Sequence, residues 1–387
     1  MTAWVSFAFF LLGLFLSTLV SILLKKDEPL KKKVRESPER IAILIPARNE
    51  SKVIESLLIS IENQSSSILK DVYVIVEDEQ DKTVAITKKH HMNYFVRQNL
   101  ELKTKGYALQ EVVEYLCHQN KIYDMYFIFD ADNILDKDYL KYMLEDYCDG
   151  YDISTGYRAL KNKKSYFPIC AGLTFTFVNG FRNQKGAKIL SGTGYYISGE
   201  YIQKWQTFPF HSLTEDYESS LYCTLENISV HYNDKAKFYD EQPEDYQKSI
   251  KQRSRWIKGY FKNYVYYHKL LKAKIKENPS NKGAIMQMYL GIIPYLCYLF
   301  GLVFLVIYLT GFKSIIFLPL LFYLIFFLCT IYYLYLFQKE TKLSKKLYFQ
   351  VLFYHPIFMF SYLHAFLRCL THPSLGWEEI KHEKNKE

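Results

Sequence analysis

The sequence predicts an α/β domain built on a largely parallel sheet and flanked by apolar helices. Three observations predict it. Between residues 41 and 260, short apolar runs alternate with helix-period segments. Long apolar stretches lie before and after that region. The loops that follow the short runs carry carboxylates, at the strand ends where parallel sheets bind ligands.

Residues 3–24 (AWVSFAFFLLGLFLSTLVSILL) hold no charge, and a helix of about 20 such residues crosses a bilayer core. No positive residue precedes the run and no small-residue cleavage site follows it, which favours an uncleaved transmembrane helix over 1–24 rather than a signal peptide. Lys25, Lys26, Lys31, Lys32, Lys33 and Arg35 make 25–40 a basic juxtamembrane linker. Positive flanks sit on the cytoplasmic side. The chain is therefore expected at the cell membrane, multi-pass, with residues 41–240 in the cytoplasm.

Within that domain IAILIPA (41–47), VYVIVE (72–77), NYFVRQ (93–98) and YFIFDAD (126–132) read as buried strands. ESKVIESLLISIEN (50–63), KTVAITKKHH (82–91) and YALQEVVEYLCHQN (107–120) read as the helices between them. That alternation gives βαβ units and a parallel sheet. Residues 241–284 follow as a helical region, in which WIKGYFKNYVYYHKLLKAKI (256–275) has the aromatic and lysine content of a helix lying in a membrane interface. Residues 285–310 and 312–337, joined by a turn at Gly311–Ser314, are long enough to span. Residues 347–370 are apolar but carry His355, Pro356, His364 and Arg368. Ionisable groups weaken a plain span reading, so 285–370 holds two or three segments, the last of them spanning, interfacial or re-entrant. A polar tail, 371–387, closes the chain.

The net charge of +9 is modest for 387 residues, and part of it lies in the juxtamembrane cluster. With no helix-turn-helix or zinc-finger pattern, a nucleic-acid partner is not expected. The seven cysteines are scattered, without a CxxC pair. That excludes a disulfide framework and a zinc site and suits a reducing compartment.

Asp130 and Asp132 end the fourth strand with one alanine between them. At a strand end the two side chains point to the same side. Like charges that close are either solvated or neutralised by a cation, and a hard divalent metal with oxygen ligands would also bind phosphate. Asn49 and Glu50 after the first strand read either as helix caps or as ribose and base ligands. The acidic run Glu77, Asp78, Glu79 and Asp81 after the second reads as a solvated turn or as an acceptor of ribose hydroxyls and base N–H groups. Thr214–Glu215–Asp216 suits a helix start, with Thr214 as cap and acids in the first turn.

Taken in order, PARNE (46–50), the acidic strand end, KGYAL (105–109), DAD (130–132), SGTG (191–194), TED (214–216) and QRSRW (252–256) resemble the membrane-bound family 2 glycosyltransferases. Those include the synthases of cellulose, hyaluronan and poly-N-acetylglucosamine. No one motif is specific by itself; their order and spacing over 41–260 are.

The resemblance implies a GT-A-like, Rossmann-like nucleotide-sugar-binding domain plus transmembrane helices. It implies an inverting hexosyltransferase that takes a sugar from a UDP-sugar to a glycan or lipid-linked acceptor, with Mg²⁺ or Mn²⁺ as cofactor. Position by position, Pro46, Arg48, Glu50, Glu77 or Asp78, Lys105 and Asp130 would bind the nucleotide sugar. Asp130 and Asp132 would hold the metal. Asp216, with Glu215, would be the base, and Arg255 would act on the leaving diphosphate. Gly192, Thr193, Gly194, Gln252 and Trp256 would meet the acceptor, the glycines by letting backbone approach it closely; Trp256 reads equally as a core residue. The second motif lacks the family's glycine and serine, which leaves open whether Glu77 or Asp78 meets the base.

QRSRW and the C-terminal spans favour a processive synthase. So few spans make a narrow channel, which suggests a homodimer or partner subunit. A non-processive transferase acting on polyprenyl phosphate or a glycolipid is the alternative, and a non-catalytic membrane scaffold or sugar-nucleotide sensor a more distant one.

Overall fold

The structure is a computed structural model. It describes residues 2–23, 34–228, 230–277, 282–298, 301, 318–338 and 341–371. An N-terminal helix, α1 (Thr2–Leu23), precedes the sheet domain. Four strands, β1 (Arg40–Pro46), β2 (Leu69–Val76), β3 (Asn93–Val96) and β4 (Met125–Ile128), run parallel in the order β3-β2-β1-β4. Three helices cross over between them, α2 (Ile54–Glu62), α3 (Lys82–Lys89) and α4 (Lys105–His118). The expected βαβ units are present, with ends shifted by a few residues. The largest shift is in β4, which stops at Ile128, so Asp130 and Asp132 sit in the loop beyond it.

The strands are continuous apolar runs because both faces of the sheet are covered. Ile41, Ile43 and Ile45 face α2 and a further helix, α5 (Tyr139–Cys148). Ala42 and Leu44 face α4. Each side chain of β1 beyond Arg40 and before Pro46 is therefore buried, on alternating sides.

Beyond β4 the sheet becomes mixed. A short β5 (Ile134–Leu135), β6 (Ile153–Leu160), β7 (Tyr195–Ser198) and β8 (Val230–Asp240) complete the order β3-β2-β1-β4-β7-β6-β8-β5. β7 is antiparallel to β4 and β6, and β6 runs parallel to β8. These strands lie in stretches where no strand was expected. Between β6 and β7 the chain forms α6 (Tyr166–Phe175), a π-helical turn (Thr176–Phe181) and α7 (Arg182–Gln184). After β7 come α8 (Gly199–Trp205) and α9 (Glu215–Leu225).

The C-terminal part begins with α10 (Tyr246–Glu277), a 32-residue helix that contains the expected interface segment. Val265, Tyr266 and Leu270 are exposed along it. Then follow α11 (Lys282–Tyr289), α12 (Leu318–Gln338), α13 (Lys345–Phe358) and α14 (Phe360–Thr371). A separate core joins α1, α6, α10, α12, α13 and α14. In it Thr18 of α1 and Tyr333 of α12 share a hydrogen bond of 2.6 Å.

Residues 347–370 do not form one span. The chain breaks at Met359 into helices of 14 and 12 residues, each shorter than a bilayer core requires. Among the described residues, no helix is long and apolar enough to cross a membrane. α1 and α12 nonetheless carry no charged residue over 22 and 21 residues, so the membrane expectation rests on their composition. The expected turn at Gly311–Ser314, the linker lysines and residues 372–387 lie outside the described residues.

Asp146 of α5 ties two neighbouring strands of the mixed half of the sheet, β6 and β8, to that helix. Its carboxylate accepts from Ser154 Oγ of β6 at 2.6 Å and from Asn233 Nδ2 of β8 at 2.9 Å, with His231 Nε2 at 3.6 Å. Burial pushes its pKa up from 3.8 to about 6, although both hydrogen bonds pull it down. A raised folded pKa gives stability that is full below about pH 3.8 and is lost as pH rises through about 6. A shift of two units corresponds to about 3 kcal/mol. Asp146→Asn should therefore gain on the wild type as pH rises. Thermal melts at pH 4 and pH 7.5 should show the difference in Tm moving by several degrees in the variant's favour.

Candidate active site

One cavity of about 1050 Å³ opens at the carboxyl ends of the parallel strands. Pro46, Arg48 and Glu50 line it from the loop after β1, and Glu77 from the end of β2. Lys105 lines it from the first turn of α4, and Asp130 and Asp132 from the loop after β4. Gly192, Glu215 and Asp216 line the opposite side, with Gln252, Arg255 and Trp256 reaching in from α10. Asp78, Thr193 and Gly194 do not line it.

Lys105 is the centre of the charge pattern. Its Nζ donates to Asp130 Oδ1 at 2.5 Å and to the Gly192 carbonyl at 2.6 Å. Burial alone would lower the Lys105 pKa, but Asp130, Glu215 and Asp216 outweigh it and raise it. Burial would likewise raise Asp130, and the Lys105 ammonium holds it below the ordinary carboxylate range.

Asp132 has the opposite fate. Burial, then Asp240 and Asp130, push its carboxyl well above the ordinary range. Asp240 ends β8 and receives Arg158 Nη2 at 2.8 Å, while Arg158 Nη1 donates to the Ser191 carbonyl at 3.0 Å. Asn133 Nδ2 donates to both Asp132 and Asp240 at 3.3 Å. Arg158 and Asp240 both line the cavity, and the sequence reading missed both. A lone arginine in a strand carries little signal; the acidic end of KFYDEQP (237–243) was the better clue.

The second motif resolves in space. Glu77 meets Arg48 Nε at 3.0 Å and Arg97 Nη1 at 3.6 Å. Arg97, also unforeseen, lines the cavity just past β3 and is anchored by Glu111 at 2.8 Å. The other acids of the run serve the fold. Asp78 accepts the Gln80 N–H at 2.9 Å, Glu79 accepts the Tyr94 hydroxyl at 2.9 Å, and Asp81 caps α3 through the Thr83 N–H at 2.8 Å. Asn49 caps no helix; its own N–H donates to Asp81.

Glu215 and Asp216 open α9. Burial, then Asp216, lifts Glu215 to about 8. Burial also raises Asp216, against the Tyr217 N–H that its Oδ1 accepts at 2.8 Å. Thr214 holds the N-cap position without making the expected side-chain cap. Its Oγ1 instead accepts from Asn263 of α10 at 3.2 Å, which locks α9 to the QRSRW helix. Trp256 is half-buried in the cavity wall, packed edge-on to Phe175, another lining residue, at 5.8 Å.

The SGTG loop works differently from expectation. Thr193 is buried under the aspartates, where its Oγ1 accepts the Asp130 N–H at 2.8 Å and bonds Asn133 Oδ1. Gly194, at φ +65°, leaves room for Phe238, whose ring would lie 2.1 Å from an added Cβ. Gly192, at φ +80°, presents its backbone to Asp216, whose Oδ2 would lie 3.2 Å from an added Cβ. Only Gly192 of these three touches the cavity.

Residues 127–337, more than half of the chain, match the model described as Glycosyl transferase family group 2. The chain belongs to this family. A second model, Glycosyl transferase family 2, matches residues 42–201 of the glycosyltransferase. Among curated proteins it is 26% identical over 246 residues to poly-beta-1,6-N-acetyl-D-glucosamine synthase of Staphylococcus epidermidis, covering 59% of this chain and 57% of that one. The synthase of Staphylococcus aureus strain COL is also 26% identical, over 57% of this chain and 54% of that one. The chain thus spans little more than half the length of these relatives. Among solved structures, mannosyltransferase PcManGT from Pyrobaculum calidifontis, in complex with GDP-Man and Mn²⁺, has a TM-score of 0.58 at 14% identity. It covers 95% of this chain and 99% of that one, and at that identity the likeness is one of GT-A-like fold.

The two loop glycines separate stability from site geometry. Gly194→Ala should cost about 2–5 kcal/mol, from the strained φ and the Phe238 overlap. Gly192→Ala has the φ cost without a ring overlap and should be the milder of the two. Urea melts of the pair check this; equal losses would contradict it.

Proposed function

We propose that this glycosyltransferase moves a sugar from a UDP-sugar, with inversion, to a hydroxyl of a growing glycan or lipid-linked acceptor at a membrane. The observation that carries the reading is convergence. Asp130 and Asp132, Lys105, Asp216, and Arg255 with Trp256 come from four separated stretches and line one cavity.

The base end supports UDP in particular. Arg48, Glu77 and Arg97 form a row of donor, acceptor and donor around one carboxylate. The edge of uracil is its complement, with a carbonyl, an N–H and a carbonyl in sequence. Guanine offers a carbonyl and then two donors, which would set an N–H against one of the arginines. PcManGT carries GDP-Man, so the distinction matters. The Staphylococcus relatives make a GlcNAc polymer by name, and UDP-GlcNAc is the first donor to try.

Asp130 and Asp132 fit Mg²⁺ or Mn²⁺. Asp132 is buried among acids whose repulsion a hard cation would relieve. Among the described residues no three His, Cys, Asp or Glu side chains group to hold a metal alone. That suits a cation that keeps water and takes phosphate oxygens. When bound, it supplies positive charge to the diphosphate. The chain's own residues do the rest. Arg255, whose Nε is buried and has no hydrogen-bond partner among the described residues, would grip the leaving phosphate, for which a guanidinium fork is suited. Lys105 holds Asp130 and the Gly192 carbonyl in register. Asp216 would take the proton of the attacking hydroxyl as the sugar passes through an oxocarbenium-like state.

The membrane setting rests on α1 and α12, uncharged throughout, and on the exposed apolar residues of lysine-rich α10. α12 packs on α6, and α1 packs on α12 and α14, which would place the cavity next to the bilayer, as export of a polymer or use of a lipid-linked acceptor requires.

Purified protein in detergent with Mg²⁺ or Mn²⁺ should release UDP from at least one UDP-sugar. Absence of turnover with every UDP-sugar tried, with and without lipid acceptor, contradicts the reading. Asp216→Asn should lower kcat by at least about a thousandfold while UDP still binds. Because the Asp216 pKa is raised, the acid limb of kcat/KM should lie above the ordinary carboxylate range. Arg97→Met should weaken UDP binding about tenfold or more and narrow the preference for UDP over GDP, read by titration of both nucleotides. An unchanged ratio would rule out the base-reading role.

A further inference from the structure

The cavity has polar lining to which the reading above gives no role. Asn179 and Arg182 line it from the π-helical turn and α7. They are three residues apart in the chain, and both reach the cavity wall. Both side chains are more than nine-tenths buried, at 6% and 9% exposure. Asn179 Nδ2 has no hydrogen-bond partner among the described residues. A buried donor left unmade is costly unless a ligand or water meets it. π-Helical turns are themselves frequent at functional sites.

We propose that Asn179 and Arg182 form an anion subsite for the acceptor, and that its ligand is a phosphate carried on an apolar lipid chain. The proposal rests on the transferase reading above and names its acceptor class. Three features carry it. First, the Asn179 amide N–H groups and the Arg182 guanidinium are donors, and a guanidinium has no acceptor atom. A sugar hydroxyl brings a hydrogen of its own, whereas phosphate oxygens only accept. Second, the walls around this end are apolar and aromatic, among them Val178, Tyr260, Met288 and Tyr295. Third, the turn abuts one uncharged helix, α12, which in turn holds the other, α1. Phe177 stacks on Tyr333 of α12 at 4.5 Å, and Tyr333 bonds Thr18 of α1.

The position fits an acceptor. The Tyr217, Tyr260 and Tyr333 phenols are the titratable groups that bear on Arg182, and Tyr217 directly follows Asp216. A phosphate held here would place the sugar it carries toward Asp216, with the lipid chain leaving past α1 and α12. Burial lowers the Arg182 pKa, an effect that an anion at this place would reverse.

The test is binding by the full chain in detergent, with three probes: farnesyl phosphate, farnesol and inorganic phosphate. Farnesyl phosphate should bind well above the other two. Arg182→Gln and Asn179→Asp should each weaken it about tenfold or more. UDP affinity, measured on the same samples, should stay within about twofold and shows that each variant is folded. Farnesol binding as tightly as farnesyl phosphate overturns the anion subsite. Inorganic phosphate binding as tightly overturns the lipid. Farnesyl phosphate unaffected by both variants, or not bound while UDP is bound, overturns the assignment and leaves the transferase reading standing. Failure of wild-type protein to bind UDP would instead count against that reading.

Discussion

The site depends on one partly buried ammonium. Lys105 joins the Asp130 carboxylate to the Gly192 carbonyl, and so joins the loop after β4 to the loop before β7. Six carboxylates line this part of the cavity, counting Glu50, Asp130, Asp132, Glu215, Asp216 and Asp240. Packed acids repel strongly in a low dielectric, and Lys105 and Arg158 oppose that repulsion from two sides. Lys105 sits between Asp130 and the Glu215–Asp216 pair; Arg158 sits between Asp240 and the Ser191 carbonyl. Asp132, crowded by Asp240 and Asp130, stays well above the ordinary carboxylate range, and it is there that the proposed cation would bind.

The division of labour follows from the fold. The parallel half of the sheet supplies the end at which we propose the nucleotide binds, because Glu77 and Arg97 stand side by side just beyond the register pair Val76 and Val96. The mixed half brings Arg158, Gly192 and Asp240 to the cavity, from β6, the loop before β7 and the end of β8. α10 then closes the site, with Asn263 bonded to Thr214 and Arg255 inside the cavity. That helix also packs on α14, so the catalytic and apolar parts of the chain share one framework.

Much of this was legible in the sequence, for physical reasons. Strands buried on both faces leave unbroken apolar runs, which is why β1, β2 and β4 could be read. Carboxylates at their ends pointed to the cavity, and Asp130, Asp132, Asp216 and Arg255 all reach it. Other features were hidden. Whether Glu77 or Asp78 faces the cavity depends on where the strand's alternation ends, and one residue reverses the answer. Arg97 and Arg158 look like ordinary strand-end and strand residues until their partners are known. Thr193 and Gly194 read as part of an acceptor loop, but their work is under the site, holding the Asp130 N–H and making room for Phe238. The break at Met359 left no signal beyond Pro356, which α13 accommodates three residues earlier.

The central claim is that one cavity holds a uracil nucleotide at the Arg48–Glu77–Arg97 end and its diphosphate beside Asp132. The most direct measurement is an experimental structure of the full chain with UDP and Mn²⁺. The account predicts the uracil edge against Glu77, the metal on Asp132 or Asp130, and phosphate oxygens within reach of Arg255. UDP bound elsewhere, or in this cavity with its base turned away from Glu77, would contradict it.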